Sequence, residues 1–499
     1  MPDVDPRFTD LPLQRLADAA LQRARDFGAS HADFRLERLR SQNVTLRDSA
    51  LESAHDGDEL GMGVRVVVDG TWGFAATYEL TTTAAVRAAE EAVRVAGVSA
   101  PVCSERVDLA PEPTHRRARW VSAYDIDPLG VPLDEKVGLL GDWSRRLATV
   151  SGVAHVTADL EQYVENKYYA DLAGTSTTQQ RVRLHPVLEV YGERDGRIDS
   201  MRTIAPPVGR GWEYVTDGAY DWDAELERLP GDLAEKLAAP SVDAGAYDLV
   251  IDPTNLWLTI HESIGHATEL DRALGYEANY AGTSFATYDQ LGSLQYGSPI
   301  MHVTGDRTIE HGLATIGYDD DGVEAQSWDI IRDGVLVGYQ LDRSIAARMG
   351  FERSNGCAFA DSPSHVPIQR MANVSLQPAA DGPDTDGLIA DVDHGLYIVG
   401  DRSWSIDMQR YNFQFTGQRF YRIENGELKG QVRDAAYQAT TTDFWRSMSA
   451  VGGPQTWHLG GALNCGKAQP AQVASVSHGA PSALFRDIAV LNTQAESGR

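Results

Sequence analysis

The chain has 499 residues, longer than one compact core usually supports, so two or three domains are expected. Hydrophobic residues at 42% and charged residues at 23%, with glycine at no fixed period, fit a globular protein and exclude fibrous and disordered classes. The formal charge of −28, with no stripe of Arg and Lys to reverse it locally, repels phosphate backbones and argues against a nucleic-acid partner.

The first predicted element is an amphipathic helix over 9–27, with Leu13, Leu16, Ala20, Ala24 and Phe27 at helical spacing and Gly28 placed to end it. Alternation at 32–36 and 44–46 predicts short strands, and 63–75 predicts two more joined at Asp69-Gly70. Helical spacing returns over 83–96 and stops at Gly97. Residues 1–100 therefore form an N-terminal α/β domain, an antiparallel sheet with helices on one face. The opening residues lack a basic region followed by an apolar core, and no later run reaches the roughly 18 apolar residues of a membrane helix. A cytoplasmic protein with no membrane association is expected. Cys103, Cys357 and Cys465 cannot all pair and lie far apart, so a disulfide framework is not expected and at least one thiol is free.

Residues 98–119, with Pro101, Pro111 and Pro113, read as a linker. A middle α+β domain over 120–238 follows, with helices at 133–147 and 222–238 and strands around Val156, Tyr168 and 187–191. After a small-residue link at 239–245, residues 246–499 show one strand, one strong helix and then short strands at 327–331, 335–340, 396–399, 413–415 and 420–423, with Asp-Gly and Asn-Gly turns. The fold class is α+β, its mostly-β C-terminal domain carrying a helix with metal-ligand spacing.

That helix begins at Pro253 and runs an apolar face into His261-Glu262-Ser263-Ile264-Gly265-His266. Zinc chemistry needs neutral imidazoles on one face and a carboxylate able to take a proton from metal-bound water. His261 and His266 fit as ligands and Glu262 as general base. Histidines four apart diverge by about 40° on an α-helix, whereas these, five apart, diverge by about 140°. A π-bulge or a helix end between them would close that gap, and Gly265 makes either cheap, so a distorted helix is predicted at 263–265. The alternative reading of the same pair is two satisfied, partly buried imidazoles.

Cys465 sits in a glycine-rich loop, 460–467, near Lys467, whose charge favours thiolate. It reads as a third ligand or as a small buried apolar group, and spacing alone does not join it to the histidines. Tyr276, Tyr280, His302 and His458 are candidate oxyanion donors by residue type only, each with a structural role as alternative. The acidic run 318–322 reads as a solvated turn, and no phosphate-binding turn follows a strand, so neither a second metal nor a nucleotide is expected.

Several ordered segments carry a family resemblance. They are Gly63-Val64-Arg65-Val66 with Gly73-Phe74-Ala75, the histidine motif with Ala281-Gly282-Thr283-Ser284, Asp320-Asp321-Gly322, Gly334-Val335-Leu336-Val337-Gly338-Tyr339, Arg370-Met371-Ala372-Asn373, Ile423-Glu424-Asn425-Gly426 and Cys465-Gly466-Lys467. The chain resembles the catalytic, TldD-type branch of the TldD/PmbA peptidases. The resemblance implies Zn2+ held by His261, His266 and Cys465, with Glu262 as base. It also implies hydrolysis of short or unfolded peptides in the cell and a dimer with a PmbA-like paralogue that lacks the motif. The segments 401–411 and 468–484 depart from the family pattern and bear on substrate preference and the partner surface. A reading from another class is a non-hydrolytic, zinc-stabilised peptide-binding or maturation subunit.

Overall fold

The computed structural model describes residues 3–467 and 471–496. Leu13–Asp26 and Thr82–Ser99 are helices whose Leu and Ala stripes are buried, and the Thr81 side chain caps the second by accepting from the Ala84 amide. Strands β1 (His31–Arg47), β2 (Ala50–Val68), β3 (Thr71–Thr77), β4 (Ala118–Val121), β5 (Val153–Asp171), β6 (Ser176–Arg194) and β7 (Arg197–Arg202) share one sheet. Its order is β3-β2-β1-β5-β6-β4, with β7 on β6. The two short strands expected at 32–36 and 44–46 are one strand. The polar stretch between them continues it because Glu37 and Arg40 are buried, which breaks the alternation that sequence reading relies on.

Strand β1 pairs with β5 from Asp33↔Asp171 to Arg47↔Thr157. The regions 1–100 and 120–238 thus contribute to the same sheet, and 98–119 connects them. Even-numbered side chains of β1 (Ala32, Phe34, Leu36, Val44, Leu46) pack under helices, the N-terminal pair at one end and Leu133–Ala148 with Trp222–Ala238 at the other. The odd-numbered face is charged and meets the C-terminal region. Lys167 donates to Asp320 at 2.8 Å, Arg35 lies 3.5 Å from the same carboxylate, and Arg65 bridges Asp33 and Asp321.

This corrects the acidic run. Asp319, Asp320 and Asp321 are 2%, 5% and 4% exposed; Asp319 accepts from the amides of Asp321, Val323 and Ala358, and cations from distant strands reach Asp320 and Asp321.

In the C-terminal region, strand β8 (Gly245–Ile251) lies between His394–Ile406, parallel, and Ala483–Asn492, antiparallel, in a second seven-stranded sheet. The strands expected at 413–415 and 420–423 form one strand, Asn412–Glu424, while 335–340 shortens to Val335–Leu336. Asp69-Gly70, Asp333-Gly334 and Asn425-Gly426 all have positive φ, the geometry of tight hairpin turns. The chain leaves β8 through Asp252, whose side chain accepts from the Thr254 amide, and Pro253 opens the helix Pro253–Ile260.

Candidate metal centre

The helix widens where the histidines begin. The His266 amide donates to the His261 carbonyl, a five-residue span, and a 3₁₀ turn follows at His266–Thr268. Five residues of such a π-turn advance roughly 50° beyond a full turn, which restores convergence that a regular helix would deny. The distortion predicted for 263–265 spans His261–Gly265. Carbonyls that the wide turn frees are taken by side chains: Tyr296 Oη donates to Ser263 O, Thr268 Oγ1 to Ile264 O at 2.8 Å, and Gln340 Nε2 to Gly265 O at 2.7 Å. The two imidazole rings lie 4.7 Å apart at 73°.

Cys465 joins them from 199 residues away, with its Sγ 3.7 Å from His266 Nε2. One ligand atom each from His261, His266 and Cys465 lie within 4.8 Å of one another, and all three residues are buried. A tetrahedral zinc with Zn–N near 2.0 Å and Zn–S near 2.3 Å holds its N and S ligands about 3.5 Å apart, so the donor set fits that ion. Cys465 lies on the strand His458–Lys467 and not in the loop expected for 460–467; the register slips between Ala462 and Cys465 where that strand pairs with Gln472–Ala480.

Hydrogen bonds fix which nitrogen of each histidine is free. His478 Nδ1 donates to Val374 O at 2.8 Å, so its Nε2 accepts from His261 Nδ1 at 2.7 Å, leaving the His261 Nε2 lone pair available. His266 Nδ1 donates to Glu269 Oε2 at 2.8 Å, which frees its Nε2 in the same way. Burial pushes both imidazoles below their ordinary range, favouring the neutral form a metal requires. Burial also opposes ionisation of the Cys465 thiol, but His266 and Arg370 outweigh it and the thiol is lowered.

Lys467 is not the cation beside that sulfur. Its amine is taken by Glu269, Asp271 and Gln369, while Arg370 Nη2 reaches Cys465 O at 2.5 Å and Sγ at 3.4 Å.

Glu262 opens with His261, His266 and Cys465 onto a cleft of about 970 Å³, lined also by 203–208, 457–466, Trp404 and Arg410. Its Oε2 accepts from Arg410 Nη1 at 2.6 Å. Of the oxyanion candidates, His458 lines the cleft wall; exposed Tyr276 contacts Arg348, Tyr280 is exposed, and His302 pairs with Asp333. Sequence reading missed His478, Glu269, Arg370 and Arg410. Glu269 alone had a local signal, three residues beyond His266 on a helical segment.

The family model described as PmbA/TldA metallopeptidase C-terminal domain matches residues 244–492, and that of domain 1 matches 32–96. The chain belongs to the PmbA/TldD metallopeptidase family. A Methanothermobacter thermautotrophicus protein named a metalloprotease is 26% identical to this family member over 464 residues, 93% of this chain and 96% of that one. A protein of Saccharolobus solfataricus named a zinc metalloprotease TldD homolog is 24% identical over 439 residues, 86% and 90% of the two chains. The crystal structure of TldE from Thermococcus kodakarensis shares the fold at a TM-score of 0.70, with 16% identity over 95% of this chain and 99% of that one.

Proposed function

We propose that the protein is a zinc-dependent peptidase of the TldD-type branch, hydrolysing short or unfolded peptides. The observation that carries this reading is the convergence of His261, His266 and Cys465, with tautomers already set, on a cleft that also exposes Glu262. His261, His266 and Cys465 would hold the zinc ion, which when bound would supply Lewis acidity toward a water and a peptide carbonyl. Glu262 takes the proton of the attacking water and delivers it to the leaving amine.

The strand His458–Lys467 pairs on one side with Gln472–Ala480, and among the described residues no strand pairs with its other edge. Residues 457–466 line the cleft, which suits an extended peptide adding to that edge through main-chain hydrogen bonds, beside Cys465. Main-chain pairing of this kind supplies affinity, and the side chains that line the cleft supply what selectivity there is. Among the described residues no helix is long and apolar enough to cross a membrane. Cys103, Cys357 and Cys465 are all free thiols, the state a reducing compartment maintains, which supports action in the cytoplasm. The partner in this reading is a PmbA-like paralogue, in the dimer that the family resemblance implies.

The test is incubation of the purified protein, alone and with that paralogue, with a mixed peptide library read by mass. Zinc-dependent cleavage is expected. Full zinc occupancy with every library peptide intact, alone and with the paralogue, would leave a non-hydrolytic subunit as the better account.

A further inference from the structure

The metal cluster and Glu262 account for a nucleophile and a base, but the carbonyl oxygen that gains charge during attack also needs a donor. Arg410 enters the site on the turn between the strands His394–Ile406 and Asn412–Glu424. Its backbone sits at φ 63°, a left-handed conformation uncommon for an arginine.

The turn is held there from several sides. Asp407 accepts from the amides of Gln409, Tyr411 and Asn412 and from the Asn412 side chain, Thr441 Oγ1 donates to Arg410 O, and the amides of Thr283 and Phe285 donate to Met408 O and Gln409 O. The side chain is 16% exposed and faces the cleft.

A guanidinium carries five donors. Here Nη1 bonds Glu262, while Nε is buried without a partner. Arg410 lines the same cleft as His261, His266 and Cys465. Neighbouring cations are committed elsewhere: Arg370 to Cys465 and Gln472, Lys467 to Glu269 and Asp271, Arg272 to Ala281 and Glu277.

We infer that Arg410 is the oxyanion-binding residue of this site, holding Glu262 in the free protein and hydrogen-bonding the scissile carbonyl oxygen as it becomes an oxyanion. The inference rests on the hydrolytic reading above. Water oxygen bonds to the carbonyl carbon, one water proton passes to Glu262, and the C=O π pair moves to the oxygen that Arg410 faces. Collapse re-forms C=O, breaks C–N and returns the proton from Glu262 to the amine, so one water is consumed and a carboxylic acid and an amine result. Because Arg410 faces charge that exists only after attack, its contribution falls on turnover more than on binding.

The test compares the zinc-loaded wild type with Arg410→Ala and Arg410→Lys. For Arg410→Ala, kcat should fall about 10²–10³-fold with KM changed less than about threefold, and added guanidinium ion should restore part of the rate. Calorimetry with a phosphinic peptide, whose tetrahedral anion resembles the intermediate, should show a parallel loss of affinity. Binding of uncleaved peptide to Glu262→Gln should be nearly the same with and without Arg410→Ala. If Arg410→Ala does not retain zinc, Arg410→Lys, which keeps a cation on the turn, should still lose phosphinic-peptide affinity selectively. Equal loss for phosphinic and ordinary peptide, or no loss for either, would overturn the inference. A wild type that cleaves nothing would refute the hydrolytic reading, while the ratio of phosphinic-peptide affinities would still decide for or against Arg410.

Discussion

Replacing His478 with Ala removes no metal ligand, yet it should weaken metal binding. His478 Nε2 is the acceptor for His261 Nδ1 at 2.7 Å, and both residues are buried. Without it, the His261 N–H must stay unpaired, or the proton must move to Nε2 and occupy the lone pair the metal needs. A buried donor left unsatisfied costs about 1–3 kcal/mol, which at 1.4 kcal/mol per decade corresponds to roughly 5–140-fold in zinc affinity. His478→Gln, whose amide oxygen can accept, should lose less. The assay is zinc competition against a chelator of known affinity at fixed pH, with melting of the metal-stripped proteins to separate folding from binding. If His478→Ala binds zinc within about twofold of the wild type, the hydrogen-bond relay does not set the His261 tautomer.

Glu262→Gln should retain one equivalent of zinc by elemental analysis and lose at least about 10²-fold in kcat; preserved turnover would remove Glu262 as base. Gly282 has φ +89°, and a Cβ there would meet Met408 O at 2.1 Å. Gly282→Ala should therefore cost more than about 2 kcal/mol in urea denaturation and displace the turn that carries Arg410, a cost absent if the two segments can separate freely.

Burial pushes the Glu37 carboxyl up to about 8 although Lys167 and Arg35 oppose it. With an ordinary value near 4.5 when unfolded, its contribution is fully present below pH 4.5 and declines as pH rises toward 8, a loss on the order of 3 kcal/mol by pH 7. Glu37→Gln should gain stability relative to the wild type between pH 5 and pH 8 in urea melts, and a pH-independent difference would contradict this.

What could be read from the sequence was mostly local. The five-residue spacing of His261 and His266, with Gly265 between, demanded a widened turn, and the hairpin turns at Asp69-Gly70, Asp333-Gly334 and Asn425-Gly426 announced themselves by residue type. Contacts made across long separations were not legible. Nothing local pairs β1 with β5, so a proline-rich connection resembled a boundary although one sheet continues past it. The run 318–322 reads as solvated because the counter-charges of Asp320 (Arg35 and Lys167) and of Asp321 (Arg65) lie on other strands.

The same limit shaped the reading of the site. Lys467 stood next to Cys465 in sequence, but its amine turns to Glu269 and Asp271, and the cation at the sulfur is Arg370. His478 and Arg410 lie 217 and 148 residues from the motif positions they touch, so only the fold could bring them in.

If one zinc, held by His261, His266 and Cys465, makes this protein hydrolytic, titrating zinc into chelator-stripped protein should switch on cleavage of a peptide found in the library screen. Activity should rise linearly and saturate at one equivalent in the wild type, with none gained by Cys465→Ala over the same range. Cleavage that is independent of zinc, or restored equally well in Cys465→Ala, would refute a catalytic His/His/Cys zinc site.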